Sequence, residues 1–241
     1  MSFAAVIRPV IDRLHVAVRH GARDDVRALY AARDLRPGAE IDAYGALLDH
    51  PVPEEALAAR LVYFGFDADA EESRGLMARS GGAWELTALG RAVVVEADAA
   101  LSGVAERLWS FRPSPSLPGL AAVETALPLV ERLLEAGRAS GGPVFAALTP
   151  YWVAPDATAA ARLAAALEAL RHHRADAHRA AWADAGLTVE GIQALGAGPQ
   201  RTAIEADTNR RDEPVYAVLD EAERWALLGA LGSLNDAFTV T

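Results

Sequence analysis

The chain contains no cysteine. That excludes disulfides, thiolate nucleophiles and thiolate metal sites together. It contains no lysine either, so all 23 of its Lys-or-Arg positions are arginine. A Schiff-base lysine and a Walker-type phosphate loop are thereby excluded. Arginine in place of lysine, beside abundant alanine, reads as the bias of a GC-rich genome and says little about chemistry. No apolar run reaches the ~18 residues that a membrane-spanning helix needs. The opening stretch, MSFAAVIRPVIDRLHVAVRHGARDD, carries Arg8, Asp12 and Arg13 among its apolar positions. It has neither an unbroken apolar segment nor a small-residue cleavage site, so it does not read as a signal peptide. A cytoplasmic location without a membrane partner is the expectation.

What is present sets the remaining bounds. The 241 residues are 52% hydrophobic, enough to bury one good core or two linked ones. The formal net charge of -10 repels phosphate backbones and anionic membrane surfaces. Nucleic-acid binding therefore needs a local basic patch.

Most of the chain carries the helical period. Ala4, Val6, Ile7, Val10, Ile11, Leu14 and Val18 recur mostly at three- and four-residue steps, with Pro9 either in a first turn or at a kink. Helices are expected over Ala22–Ala32, in IDAYGALLDH, and after Pro53, where Glu54 and Glu55 favour a helix start. DADAEESRGLMARSG reads as a further helix, begun by an Asp cap and ended at Gly81 and Gly82. Trp84–Leu86 reads as a short strand, and Thr87 caps the helix that follows. RPSPSLPG, Arg112–Gly119, is the best linker in the chain. It divides residues 1–111 from residues 120–241. In the second part, Asp156 is positioned to cap a long helix from Ala157 to about Ala185, Thr188 caps another, and two more follow.

Three short helices, a glycine turn, a strand and a capped helix resemble a winged helix-turn-helix. WELTALGRAVV in particular is similar to the wing-to-helix junction of MarR-type regulators, with Leu86, Thr87, Gly90 and Arg91 at the matching positions. The resemblance covers roughly Glu40 to Leu108. The expected fold is mainly α, with a winged-helix-like N-terminal unit and a C-terminal helical unit. Regulator ancestry makes DNA a partner to consider. However, the recognition helix would carry Asp67, Asp69, Glu71 and Glu72, against only Arg74 and Arg79. A helix entering the major groove needs cations on its exposed face, so the local charge disfavours DNA. The apolar first helix also offers a dimer arm, which makes a homodimer an expectation of the same resemblance.

The densest chemistry lies in ALRHHRADAHRAAWADAGLT, Ala169–Thr188. At ~3.6 residues per turn, Arg171, Arg174, His178 and Trp182 share one stripe. His172 and Asp176 lie four apart; His173 and Asp176 lie three apart and can pair instead. Glu205, Thr208 and Asn209 follow on a later helix, within reach if the two helices pack as a pair. HRADAH followed by IEADTN resembles an actinobacterial helix-turn-helix-labelled family of unassigned activity, through His173, Arg174, Asp176 and His178, then Glu205 and Thr208. Asn209 replaces that family's usual acid.

Four readings of the cluster compete. A buried ion-pair network needs no ligand. A small-molecule pocket uses Arg174 for an anionic or carbonyl group, His178, Glu205 and Asn209 for hydrogen bonds, and Trp182 or Tyr151 for stacking. Cofactor-independent acid–base catalysis uses His178 or His173, oriented by Asp176. A metal at His172, Asp176 and Glu205 comes last, since its third ligand is unsupported. The pocket is the leading functional expectation, catalysis the alternative, and neither cofactor nor metal is called for.

Overall fold

The computed structural model describes residues 2–109 and 120–236. It is mainly α-helical. The linker read at 112–119 lies outside the described residues.

Helix α1 (Phe3–Gly21) follows its apolar period and buries Ala4, Ile7, Ile11, Leu14 and Val18. Pro9 sits well inside it, where its ring removes one backbone hydrogen bond without ending the helix. The start of α1 is capped twice. Ser2 Oγ accepts from the Ala5 N–H, and the distant Glu213 carboxylate accepts from the N–H groups of Phe3 and Ala4 at 3.2 and 2.9 Å. The apolar stripe of α1 is covered within the same chain, so it does not supply the free dimer arm expected above. Helix α2 (Arg23–Ala31) follows.

A small unit comes next: α3 (Tyr44–Asp49), β1 (Val52–Pro53), α4 (Glu54–Arg60), α5 (Ala68–Ser73), β2 (Met77–Ser80), β3 (Ala83–Leu86) and α6 (Ala88–Trp109). The three antiparallel strands lie in the order β1-β3-β2, with Val52 opposite Trp84 and Met77 opposite Leu86. The helix expected to run to Gly81 stops at Ser73. Gly75 takes a left-handed φ of 72°, and Met77–Ser80 is a strand. Gly81 and Gly82 are therefore a two-residue hairpin turn, with φ values of 58° and 82°, rather than a helix end.

Thr87 ties this unit to α6. Its hydroxyl donates to the carbonyl of Gly75 at 2.7 Å and accepts from the Gly90 N–H at 3.0 Å. Gly90 then passes directly over the β2 approach: a Cβ there would stand 1.9 Å from the Leu76 carbonyl oxygen. Helix propensity alone favours alanine over glycine by about 1 kcal/mol. Here Gly90→Ala is expected to destabilise by about 1–3 kcal/mol instead, because backbone must move. Urea denaturation measures the sign.

The remaining helices are α7 (Leu120–Ser140), α8 (Pro143–Ala147), α9 (Ala159–Asp184), α10 (Val189–Ala194), α11 (Pro199–Asp212) and α12 (Glu221–Asp236). A 3-10 segment, Glu213–Val218, precedes α12. The cap of α9 is Thr158, whose hydroxyl accepts from the Ala161 N–H, and not Asp156. Thr188 caps α10 as expected. The largest core draws Ile7, Leu14, Val94 and Trp109 together with Val130, Leu163, Leu167 and Leu231, so it takes residues from both sides of the linker. A second core, around Trp84, Leu57 and Met77, is closed by Val144 and Leu148 of the α8 segment.

Candidate functional site

Helix α9 sends polar side chains in three directions. One face opens on a cavity of about 220 Å³. Arg171, Arg174 and His178 of α9 line it, facing Arg8, Ile11 and Asp12 of α1 and Glu205 of α11. Tyr63, Leu170, Ala175 and Tyr216 complete the wall. The i, i+3, i+4 spacing of the arginine–histidine stripe puts all three groups on that face. An open groove adjoins it, sharing Arg8, Asp12, Arg174 and Glu205 and adding Asn209.

Charges alternate around the cavity. Asp12 accepts from Arg171 Nε at 2.9 Å and from Arg8 Nε at 3.2 Å. Glu205 accepts from Arg8 Nη1 and Arg174 Nη2, both at 3.3 Å. Arg174 Nη1 also donates to Asn209 Oδ1 at 2.9 Å and to Asp212 Oδ2 at 3.3 Å. Three arginines thus meet two lining carboxylates. Arg171 commits only its Nε to protein, among the described residues, and leaves both terminal nitrogens of its fork for another acceptor.

His178 is held in one tautomer. Thr208 donates its hydroxyl to the Ile204 carbonyl at 2.8 Å, so its oxygen accepts from His178 Nδ1–H at 3.1 Å. The lone pair is left on Nε2. Burial above all, with Arg174, Arg8 and Arg201 nearby, holds the ring below its ordinary pKa despite Glu205. His178 is therefore a neutral acceptor on the cavity wall.

The second face of α9 builds a largely buried ionic cluster. Arg19 donates to Glu168 at 2.5 Å and Tyr44 donates to it at 3.1 Å. Burial alone would raise the Glu168 carboxyl; the Arg19 charge, His15 and His172 and the Arg19 hydrogen bond together outweigh it and bring the pKa down to about 2. Burial lowers His15 to about 4, with Glu168 opposing and Arg171, Arg19 and Arg60 assisting. Burial, and then Arg60, pushes His172 well below its usual range. Burial raises Asp98 to about 6.

These shifts predict acid lability. The fold keeps both rings neutral, whereas an unfolded chain protonates each below about pH 6.5. Stability is full above that value and falls as pH drops from 6.5 toward 4. Asp98 takes a proton in the fold over much of the same range and offsets one of the two, while His178, also held below its ordinary pKa, adds to the loss in the same direction. One net proton over 1.5 pH units is about 2 kcal/mol. Tm at pH 5 should lie about 4–8 °C below Tm at pH 6.5. A flat profile would mean that the rings protonate without unfolding.

The third face holds His173 and Asp176, which do not pair with each other. Asp176 accepts from the N–H groups of Phe145 and Val144 at 2.7 and 3.4 Å, and from Arg179 at 2.8 Å. It closes the start of α8 and orients neither His173 nor His178. His173 Nδ1 instead meets Asp212 Oδ1 at 2.7 Å, and its Nε2 meets Ser140 Oγ at 2.9 Å. Trp182 stands behind the cavity wall, donating from Nε1 to the Tyr63 hydroxyl at 2.8 Å. Tyr151 is remote from the cavity, in a small crevice beside His172 and Glu168. His172, Asp176 and Glu205 face three different surroundings, and no metal-holding group of three or more His, Cys, Asp or Glu side chains occurs among the described residues.

The cavity thus contains Arg174, His178 and Glu205 from the sequence reading, with Asn209 at its edge. The reading missed Arg8, Asp12, Tyr63 and Tyr216. The Arg8–Asp12 pair, four apart on an amphipathic helix, was a visible signal that looks like any solvated face. No family model matches the chain, and no curated protein or solved structure matches it.

Proposed function

We propose that the protein binds a small anionic molecule, a single-ring carboxylate in class, in the cavity between α1, α9 and α11. The observation that carries this reading is the uncommitted fork of Arg171, facing a cavity where arginine exceeds carboxylate. A guanidinium fork matches a carboxylate in bidentate fashion. Ile11, Leu170, Tyr63 and Tyr216 give the ring an apolar and aromatic surround. The volume lies below the ~300 Å³ where drug-sized pockets begin, which favours one ring over a nucleotide.

Calorimetry with benzoate and its neutral counterpart benzamide tests the reading. Benzoate should bind and raise Tm, benzamide should not, and Arg171→Gln should weaken benzoate by about 10- to 100-fold. Equal binding of the two, or none, would sink it.

The resemblance to MarR-type regulators assigns a winged-helix scaffold to the N-terminal unit. The order α3–β1–α4–α5–β2–β3 and the sheet order support that assignment. A ligand-responsive regulator is the corresponding function. The charges weigh against direct DNA reading: α5 exposes Asp69, and Arg79 is paired to Asp69 and Glu72, both at 2.7 Å. Arg74 is paired to Glu40 and Glu71, and Arg60 to Asp42. We therefore assign the function to the ligand, and expect no DNA shift in gels even at ~50 mM salt.

The neutral Nε2 of His178 supports the alternative, proton transfer without a cofactor. Exchange of the α-hydrogens of phenylacetate into D₂O, absent in His178→Gln, would favour catalysis over simple binding.

A further inference from the structure

A second constellation lies away from the cavity, where α7 ends. Ser140 Oγ stands 2.9 Å from Nε2 of His173, whose Nδ1 stands 2.7 Å from Asp212 Oδ1. We propose that Ser140 is an activated nucleophile for acyl transfer, with His173 as its base and Asp212 as the group that orients the imidazole. The acyl donors that suit it are small activated carboxylic esters.

The hydrogen-bond polarity runs the required way. Asp212 Oδ2 is paired with the Arg174 guanidinium at 3.3 Å, and an ionised carboxylate can only accept. His173 Nδ1 must then be the donor, which leaves Nε2 free to take the serine proton. The ring cannot turn away from this alignment. It is 2% exposed, and the Phe145 ring packs edge-on against it with centroids 5.4 Å apart. Asp212 is equally buried, at 1%. Ser140 alone of the three is exposed. A purely structural serine–histidine bond has no need to end on an exposed hydroxyl.

The step balances without a further reactant. As Oγ forms its bond to the acyl carbon, its proton passes to Nε2. Collapse of the tetrahedral adduct breaks the ester C–O bond, and the imidazolium returns the proton to the leaving alkoxide. Water then releases the acid by the same route. The nearby N–H groups of Val144 and Phe145 are already taken by Asp176, so they do not stabilise the oxyanion. Reactivity is therefore confined to activated esters and does not extend to amides.

The absence of other thiols makes the test clean. A fluorophosphonate should label the intact chain at Ser140, located by peptide mass spectrometry, and Ser140→Ala should lower labelling about 100-fold or more. Ser140→Cys introduces the only thiol in the chain. Its alkylation by iodoacetamide should reach half-maximal rate well below the usual thiol value of about 8.5. Both variants alter an exposed side chain, so neither depends on the buried pair for folding. A fluorophosphonate that does not label Ser140, or an alkylation midpoint at or above the ordinary thiol value, would overturn the assignment. Benzoate binding does not enter either readout, so the cavity reading stands or falls separately.

Discussion

Glu168→Ala should lower the unfolding free energy by about 3–5 kcal/mol, the usual cost of stripping one partner from an ion pair held mostly out of water, since the Arg19 and Glu168 side chains are only 23% and 13% exposed. Glu168 is the only carboxylate that pairs with Arg19 among the described residues, at 2.5 Å. Without it, the guanidinium keeps, among the described residues, the Ile41 carbonyl, which it meets from two nitrogens at 3.1 Å, and the face of the Tyr44 ring at 5.7 Å, but no anion. The Tyr44 hydroxyl loses its acceptor too. At about 2–4 °C per kcal/mol, Tm should drop by roughly 6–20 °C. Glu168→Gln keeps an acceptor for Tyr44 but not the charge, and should fall between. The pair Arg19→Leu with Glu168→Leu should recover much of the loss, because the cost is an unpaired charge and not an empty space. A single substitution that costs under about 1 kcal/mol would mean that water reaches Arg19 freely.

Asp212→Ala should be comparably severe, again about 3–5 kcal/mol. Its side chain is 1% exposed and holds two groups at once. His173 Nδ1–H would be left in the core without an acceptor, and Arg174 would lose one of its two carboxylates. Ser140→Ala is the control. It removes the hydrogen bond at the other end of the same imidazole, but at an exposed residue, and should cost under about 1 kcal/mol. Urea midpoints for the two variants should therefore differ widely. Similar midpoints would mean that the fold does not rest on the Asp212 end of the chain of bonds.

Much of the helical framework was legible because it obeys a short-range rule. The spacing of Arg171, Arg174 and His178 fixes a common face on any helix, and that face lines the cavity. Thr87 and Thr188 are visible as caps for the same local reason. Asp156 looked equally suitable, yet Thr158 starts the helix, since several polar residues there compete for one role. The β2 strand was hidden because LMARS keeps apolar spacing compatible with a helix, and only the left-handed Gly75 breaks it. Pairings across long separations were not legible at all. Ser140, His173 and Asp212 meet from three helices. Asp12 joins Arg171 across 159 positions. Asp176 was expected to orient a histidine, but the open end of α8, with its own unsatisfied N–H groups, had the closer claim.

The tie between the first turn of α1 and Glu213 bears on how the chain is made. Phe3 and Glu213 lie 210 positions apart. At synthesis rates of about 5–20 residues per second, that interval lasts roughly 10–40 s. Throughout it Ile7, Ile11 and Leu14 lack the α12 partners Leu227 and Leu231 of their shared core. The nascent protein therefore carries a sticky, unfinished surface until the α12 segment has been made, and a chaperone that shields such stripes would act on it during that window.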